Sequence, residues 1–207
     1  MFFSSLPRLE ALVYATLILF VTKGTSIAQN SHHEPKPVIP IYSDEAVWGN
    51  TVDAFRQGTG LGGFRAIPNF SYVLGKPENP DYNTSVSLGR GGSLTLSHRR
   101  DGQIVCFVNN PQDYDLEVIT PPRNYDVNVA EDISISISLD PAGLSWKELG
   151  TFSSDMFPDG VLRIDLGDVL SGYHVRITDP PNGRKHKSAP GEEIEGVRLR
   201  WPCLDVS

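Results

Sequence analysis

The chain has 207 residues, with 25 acidic and 18 basic side chains, a net charge of −7 and only two cysteines. An acidic balance of this size argues against nucleic acid or an anionic membrane as partner, and the length suits one domain able to bury a substantial core.

The amino terminus reads Met1-Phe-Phe-Ser-Ser-Leu-Pro-Arg8, followed by an apolar run from Ala11 to Val21 and the small-residue stretch Thr25-Ser-Ile-Ala28. Thr22 and Lys23 end the run before the roughly 20 apolar residues that a membrane span needs. A basic start, a short apolar core and a small-x-small end describe a signal peptide over residues 1–28, with cleavage after Ala28. Its removal takes away Arg8, Glu10 and Lys23 and leaves the remainder slightly more acidic. No second apolar segment follows, so a secreted, extracellular product without a stable membrane anchor is expected.

Residues 29–41 contain Glu-Pro-Lys-Pro-Val-Ile-Pro40 and read as a proline-rich extended linker. Residues 42–207 form the domain. A short helix could begin at Ser43-Asp-Glu before Ala46, Val47 and Trp48, with Gly49 cutting it off. Leu94 and Leu96 lead through Asp101-Gly102, a dipeptide suited to a tight turn, into Ile104–Val108, which predicts a hairpin. Leu116 and Val118 mark another strand. Ile133, Ile135, Ile137 and Leu139 alternate with three serines, which places four aliphatic side chains on one face and hydroxyls on the other. Leu162, Ile164 and Leu166 repeat the pattern, as do Tyr173, Val175 and Ile177, and then Val197, Leu199 and Trp201. Short strands separated by glycine and proline, with no long helix, predict an all-β, jelly-roll-like β-sandwich in a single domain.

Both cysteines, Cys106 and Cys203, fall in the exported part, and an even pair in an oxidising compartment reads as a disulfide. A free reactive thiol is the competing reading, opposed by the apolar surroundings of Cys106. Asn69-Phe-Ser and Asn83-Thr-Ser are sequons, which would make a glycoprotein if the source glycosylates its exports.

Asn109, Asn110, Asp113 and Asp115 crowd one loop, and Asn109, Asp113 and Asp115 are candidate ligands for calcium, which takes six to eight oxygens. The same residues also make an ordinary polar turn. Gly58-Thr-Gly-Leu-Gly-Gly63 fits the dinucleotide pattern in letters but lacks the flanking strand and helix, so it reads as a turn. His32 and His33 near the new terminus could hold copper if cleavage fell one residue later. Arg184-Lys-His-Lys187 could attract an acidic polysaccharide, but it reads first as a solvated basic loop. The histidines lack zinc spacing, and no serine sits in a nucleophile elbow.

Five stretches occur in an order that resembles a known family: Tyr72-Val-Leu-Gly-Lys-Pro77, Val86-Ser-Leu-Gly-Arg-Gly-Gly-Ser-Leu-Thr-Leu96, Asp113-Tyr-Asp-Leu-Glu-Val118, Ile135-Ser-Ile-Ser-Leu-Asp140 with Trp146, and Tyr173-His-Val-Arg-Ile-Thr-Asp179. They are similar to exported β-sandwich domains of the galactose-binding or discoidin-like jelly-roll kind in bacterial cell-surface proteins, often linked to PEP-CTERM sorting tails. The chain departs from that pattern at Val118-Ile119-Thr120, where the family usually carries an acidic side chain, and it shows no sorting tail. The resemblance implies a secreted, non-catalytic binding or structural protein of an extracellular surface or matrix, partnered by a glycan or a matrix protein. The resemblance also suggests sugar binding, with Trp48, Tyr72, Tyr82 or Tyr114 as stacking faces, although aromatics more often fill a core or its rim. A calcium-dependent carbohydrate-binding module and a secreted hydrolase, or the accessory domain of one, are the alternatives.

Overall fold

The computed structural model describes residues 45–60, 68–78, 84–121, 131–182, 191 and 193–203. The expected signal peptide, the linker, Tyr82, Asn83 and the basic run at 184–187 lie outside the described residues. All described strands fall within one compact unit, Val38–Ser207.

The strands in chain order begin with β1 (Val47–Trp48), β2 (Thr51–Arg56), β3 (Val86–Ser87), β4 (Ser93–Ser97), β5 (Arg99–Arg100), β6 (Gln103–Ile104) and β7 (Phe107–Val108). They continue with β8 (Leu116–Ile119), β9 (Asp132–Ser138), β10 (Trp146–Ser153) and β11 (Val161–Ile164). The last four are β12 (Ser171–Gly172), β13 (His174–Thr178), β14 (Glu193–Ile194) and β15 (Gly196–Leu199). A five-stranded sheet of order β10-β9-β13-β4-β2 faces a four-stranded sheet of order β1-β15-β8-β11, and every neighbouring pair is antiparallel. The result is an all-β, jelly-roll-like sandwich.

Alternation explains the packing. Ile133, Ile135, Ile137, Val175, Ile177, Leu94 and Leu96 from one sheet meet Leu116, Val118, Leu162, Ile164, Val197 and Leu199 from the other in one buried cluster. Full burial of an aliphatic side chain contributes about 1.5–3 kcal/mol, so this shared layer is what holds the sheets together. The same period sends the intervening serines, threonines and arginines to the outer faces.

Several expectations are corrected. Residues 46–48 form no helix, because Val47 and Trp48 pair in register with Leu199 and Arg198. Leu139 lies past the end of β9 and is 42% exposed, so only three of the four aliphatic residues face the core. The Asp101-Gly102 turn forms as expected, with φ of 51° and 80°, but its ladder is limited to Arg99–Arg100 against Gln103–Ile104. Beyond it the chain breaks away, and β7 pairs with β12. Trp201 lies beyond the end of β15.

Gly58 has a role that the turn reading missed. A Cβ there would fall inside contact distance of the backbone of Gly89 and the Arg90 carbonyl, so glycine permits two chain segments to touch.

Candidate functional site

The outer face of the five-stranded sheet is built from three rows set by register. In the middle row Arg176 pairs with Thr95 on one side and Ser136 on the other, Ala54 lies beyond Thr95, and Glu148 lies beyond Ser136. In the next row Thr178 pairs with Ser93 and Ser134, with Arg56 and Thr151 at the two edges. A cavity of about 400 Å³ opens on this face, lined by Ala54, Phe55, Arg56, Ser93, Thr95, Arg176 and Thr178. Its lining combines three hydroxyls with two guanidinium groups and includes no carboxylate.

The third row, where His174 pairs with Ser97 and Trp146 with Ser138, closes one end. The turn after β9 folds over it, Asp140 accepts the amides of Ala142, Leu144 and Ser145, and the Trp146 indole donates to the Gly143 carbonyl at 2.7 Å. Three amides held on one carboxylate and an indole bonded to the turn's own carbonyl fix the loop, and with it the indole as a wall. The Arg176 guanidinium carbon lies 3.6 Å from the centre of a Trp146 ring, a cation–π stack. Partial burial pulls the Arg176 pKa below its usual value, yet an arginine stays charged at any physiological pH. At the opposite edge Arg56 Nη2 donates to the Gly91 carbonyl at 2.7 Å.

Under the turn lies a second polar group. A bulge in β2 between Val52 and Ala54 leaves Asp53 without a ladder partner and turns its carboxylate onto the face. Asp53 takes Arg99 Nη2 at 2.9 Å and His174 Nδ1 at 3.0 Å. The other ring nitrogen of His174 lies 3.1 Å from the Pro141 carbonyl. Carboxylate and carbonyl are both acceptors, and the imidazole is held between them. Burial pushes the Asp53 carboxyl up, but the hydrogen bonds from Arg99 and His174 outweigh it and hold the group below its ordinary value. These contacts make a structural network that ties β2 to the turn after β9.

The residues expected to bind calcium have other engagements. Asp115 is fully buried and accepts the amides of Asn110 at 2.7 Å and Leu166 at 2.8 Å, which ties the 109–115 loop to the end of β11. Burial raises its pKa, the two amides oppose the rise, and Asp165 and Asp113 add to it. Asp113 pairs with Arg200 at 2.9 Å, and Asn109 Nδ2 donates to the Gly167 carbonyl at 2.6 Å. Asn109 Oδ1 is enclosed without a hydrogen-bond partner. Among the described residues no three His, Cys, Asp or Glu side chains gather as a metal group. Thr120, at the position where the resemblance led to an acidic side chain, is buried and its hydroxyl reaches the Gly160 carbonyl at 3.4 Å.

Cys106 and Cys203 form the expected disulfide, beside a backbone bond from Cys203 to the Cys106 carbonyl at 2.8 Å. Asn69 is exposed, and its Oδ1 accepts both the amide and the hydroxyl of Ser71. The aromatic residues considered as sugar platforms are dispersed. Trp48 is crossed by Arg198 and Tyr114 by Arg200, both from the four-stranded sheet side, while Tyr72 is 38% exposed in a 3-10 turn. Sequence reasoning missed the Arg176 site. Its signal was present in the wet faces of β9 and β13, but their adjacency is a property of strand order.

No protein-family model matches the chain, and no curated protein does. Among solved structures it is similar to the CBM32 of AlyQ in complex with 4,5-unsaturated mannuronic acid, at 15% identity and a TM-score of 0.42, covering 73% of this chain and 96% of that one. It is also similar to the C-terminal domain of a chitobiase from Bacteroides fragilis, at 12% identity and a TM-score of 0.48, covering 79% and 99% of the two chains.

Proposed function

We propose that the chain is an exported, non-catalytic binding domain that takes an extracellular glycan on the outer face of its five-stranded sheet. The observation that carries this reading is the cavity among Ser93, Thr95, Thr178, Arg56 and Arg176, whose lining offers hydroxyls and guanidinium donors on a rigid sheet. Hydroxyls both donate and accept, which is what a ligand dense in hydroxyls requires. Sheet-borne side chains also hold their spacing better than loop side chains, so the platform is already arranged before the ligand arrives.

The Asp53–His174 pair supports the non-catalytic part of the reading, because the histidine among these polar groups has both nitrogens engaged. The disulfide fits an oxidising compartment.

The test is retention of the full chain on a panel of immobilised polysaccharides, compared with Ala54→Trp, which fills the cavity from the exposed edge strand. Binding by the natural chain and its loss in Ala54→Trp is the expected result. Retention on none of the polysaccharides, or equal retention of both proteins, overturns the assignment.

A further inference from the structure

Four arginines of this fold are paired with carboxylates, and Arg176 is not. Arg99 has Asp53 at 2.9 Å, Arg163 has Asp159 at 3.0 Å, Arg198 has Glu117 at 3.0 Å and Arg200 has Asp113 at 2.9 Å. Arg176 is half-buried against Trp146 and has neither a carboxylate nor a carbonyl at hydrogen-bonding distance among the described residues. Covering a guanidinium without giving it a counter-charge is unfavourable, and stacking on an indole repays only part of that cost. The rim of the planar group keeps its N–H donors, the geometry that matches the two oxygens of a carboxylate or sulfate.

The local charge is equally out of character. The chain as a whole carries 25 acidic side chains against 18 basic ones, while the cavity is lined by two arginines and no acid. Arg56 and Arg176 stand on strands that flank β4 and are offset by two residues along them, about 12 Å apart from strand spacing and rise, with Ser93 and Thr95 on the strand between and Thr178 opposite Arg56.

We infer that the occupant of the cavity is an acidic saccharide, one that carries a carboxylate or a sulfate beside its hydroxyls, with Arg176 holding the anion and Arg56 making a second contact at the sheet edge. The inference rests on the reading of this face as a glycan platform and names the class of glycan. The hydroxyls of Ser93, Thr95 and Thr178 then meet the sugar's own hydroxyls. A negative overall charge opposes long-range attraction of a polyanion, so affinity comes from contact within the cavity and not from steering.

The experiment is calorimetric titration of the full chain with three oligosaccharides of matched length: an oligouronate, a sulfated oligosaccharide and a neutral one. The acidic ligands bind and the neutral one binds at least about tenfold more weakly, and the comparison of the two acidic arms identifies the anion. Arg176→Gln weakens acidic binding by roughly ten- to hundredfold, the range for a hydrogen-bonded charge, and Arg176→Lys by less because it keeps charge without the planar fork. Thr178→Asp places a carboxylate in the cavity and abolishes acidic binding without touching the Arg176–Trp146 stack; thermal melting confirms that each variant is folded. Neutral binding as tight as acidic binding, or acidic binding indifferent to both Arg176→Gln and Thr178→Asp, overturns the inference while the glycan platform stands. Binding of none of the three overturns both.

Discussion

His174 Nδ1 lies 3.0 Å from Asp53 Oδ2, with the two side chains only 7% and 14% exposed. The contact joins the edge strand β2 to the central strand β13 across the intervening β4, so one bulged residue braces one end of the five-stranded sheet. Asp53 is held below its ordinary value of 3.8 in the folded protein. A depressed carboxyl contributes stability that is fully present above its unfolded value and disappears as pH falls through the folded one. Asp53→Asn is therefore expected to cost about 2 kcal/mol at neutral pH, since it removes charged hydrogen bonds to Arg99 and His174. Urea unfolding of both proteins from pH 7 to pH 2 should show that difference constant down to about pH 4 and shrinking below it. A difference that grows on acidification would contradict the network.

Asp115 and Asp113 stand two residues apart in one loop and have opposite weight. Asp115→Ala leaves the buried amides of Asn110 and Leu166 without an acceptor and is expected to cost about 3 kcal/mol. Asp113→Ala breaks a partly exposed pair with Arg200 and is expected to cost less than about 1 kcal/mol. With both carboxylates engaged by the protein, calcium and chelator should leave the melting temperature unchanged. A rise of several degrees with calcium would mean that the loop reorganises to present these oxygens, together with Asn109 Oδ1, to the ion.

The disulfide joins residues 97 apart in sequence, linking the start of β7 to the segment that follows β15. Constraint of an unfolded loop of that length is worth about 4 kcal/mol in the chain-entropy account. Cys106→Ser with Cys203→Ser is expected to lower the unfolding midpoint by a corresponding amount while leaving glycan binding to the remaining folded protein intact, because neither cysteine lines the cavity. Loss of binding in a variant that still melts cooperatively would place the site elsewhere.

Much of this fold was legible because alternation reports directly on which face is dry. Ile133, Ile135 and Ile137 are all buried in one face as their period demands, and Asp101-Gly102 makes the positive-φ turn for which that dipeptide is suited. The disulfide followed from arithmetic. The misread helix before Gly49 has a physical cause: Val47 and Trp48 take their conformation from Leu199 and Arg198, some 150 residues away, and local capping signals cannot see that partner. The binding face was illegible for the same reason. Arg176 and Ser136 were each readable as wet-face residues, but only the order β10-β9-β13-β4-β2 makes them neighbours and brings Trp146 beneath the guanidinium.

The central claim is that the outer face of the five-stranded sheet is the binding surface, and backbone NMR of the full chain during titration with an acidic oligosaccharide tests it most directly. The largest amide shift changes are expected on Ser93, Thr95, Arg176, Thr178 and Arg56, and they disappear in Arg176→Gln. Changes concentrated instead at residues 109–115 or at the turn from Asp140 to Ser145, with the five-stranded sheet unmoved, would contradict it.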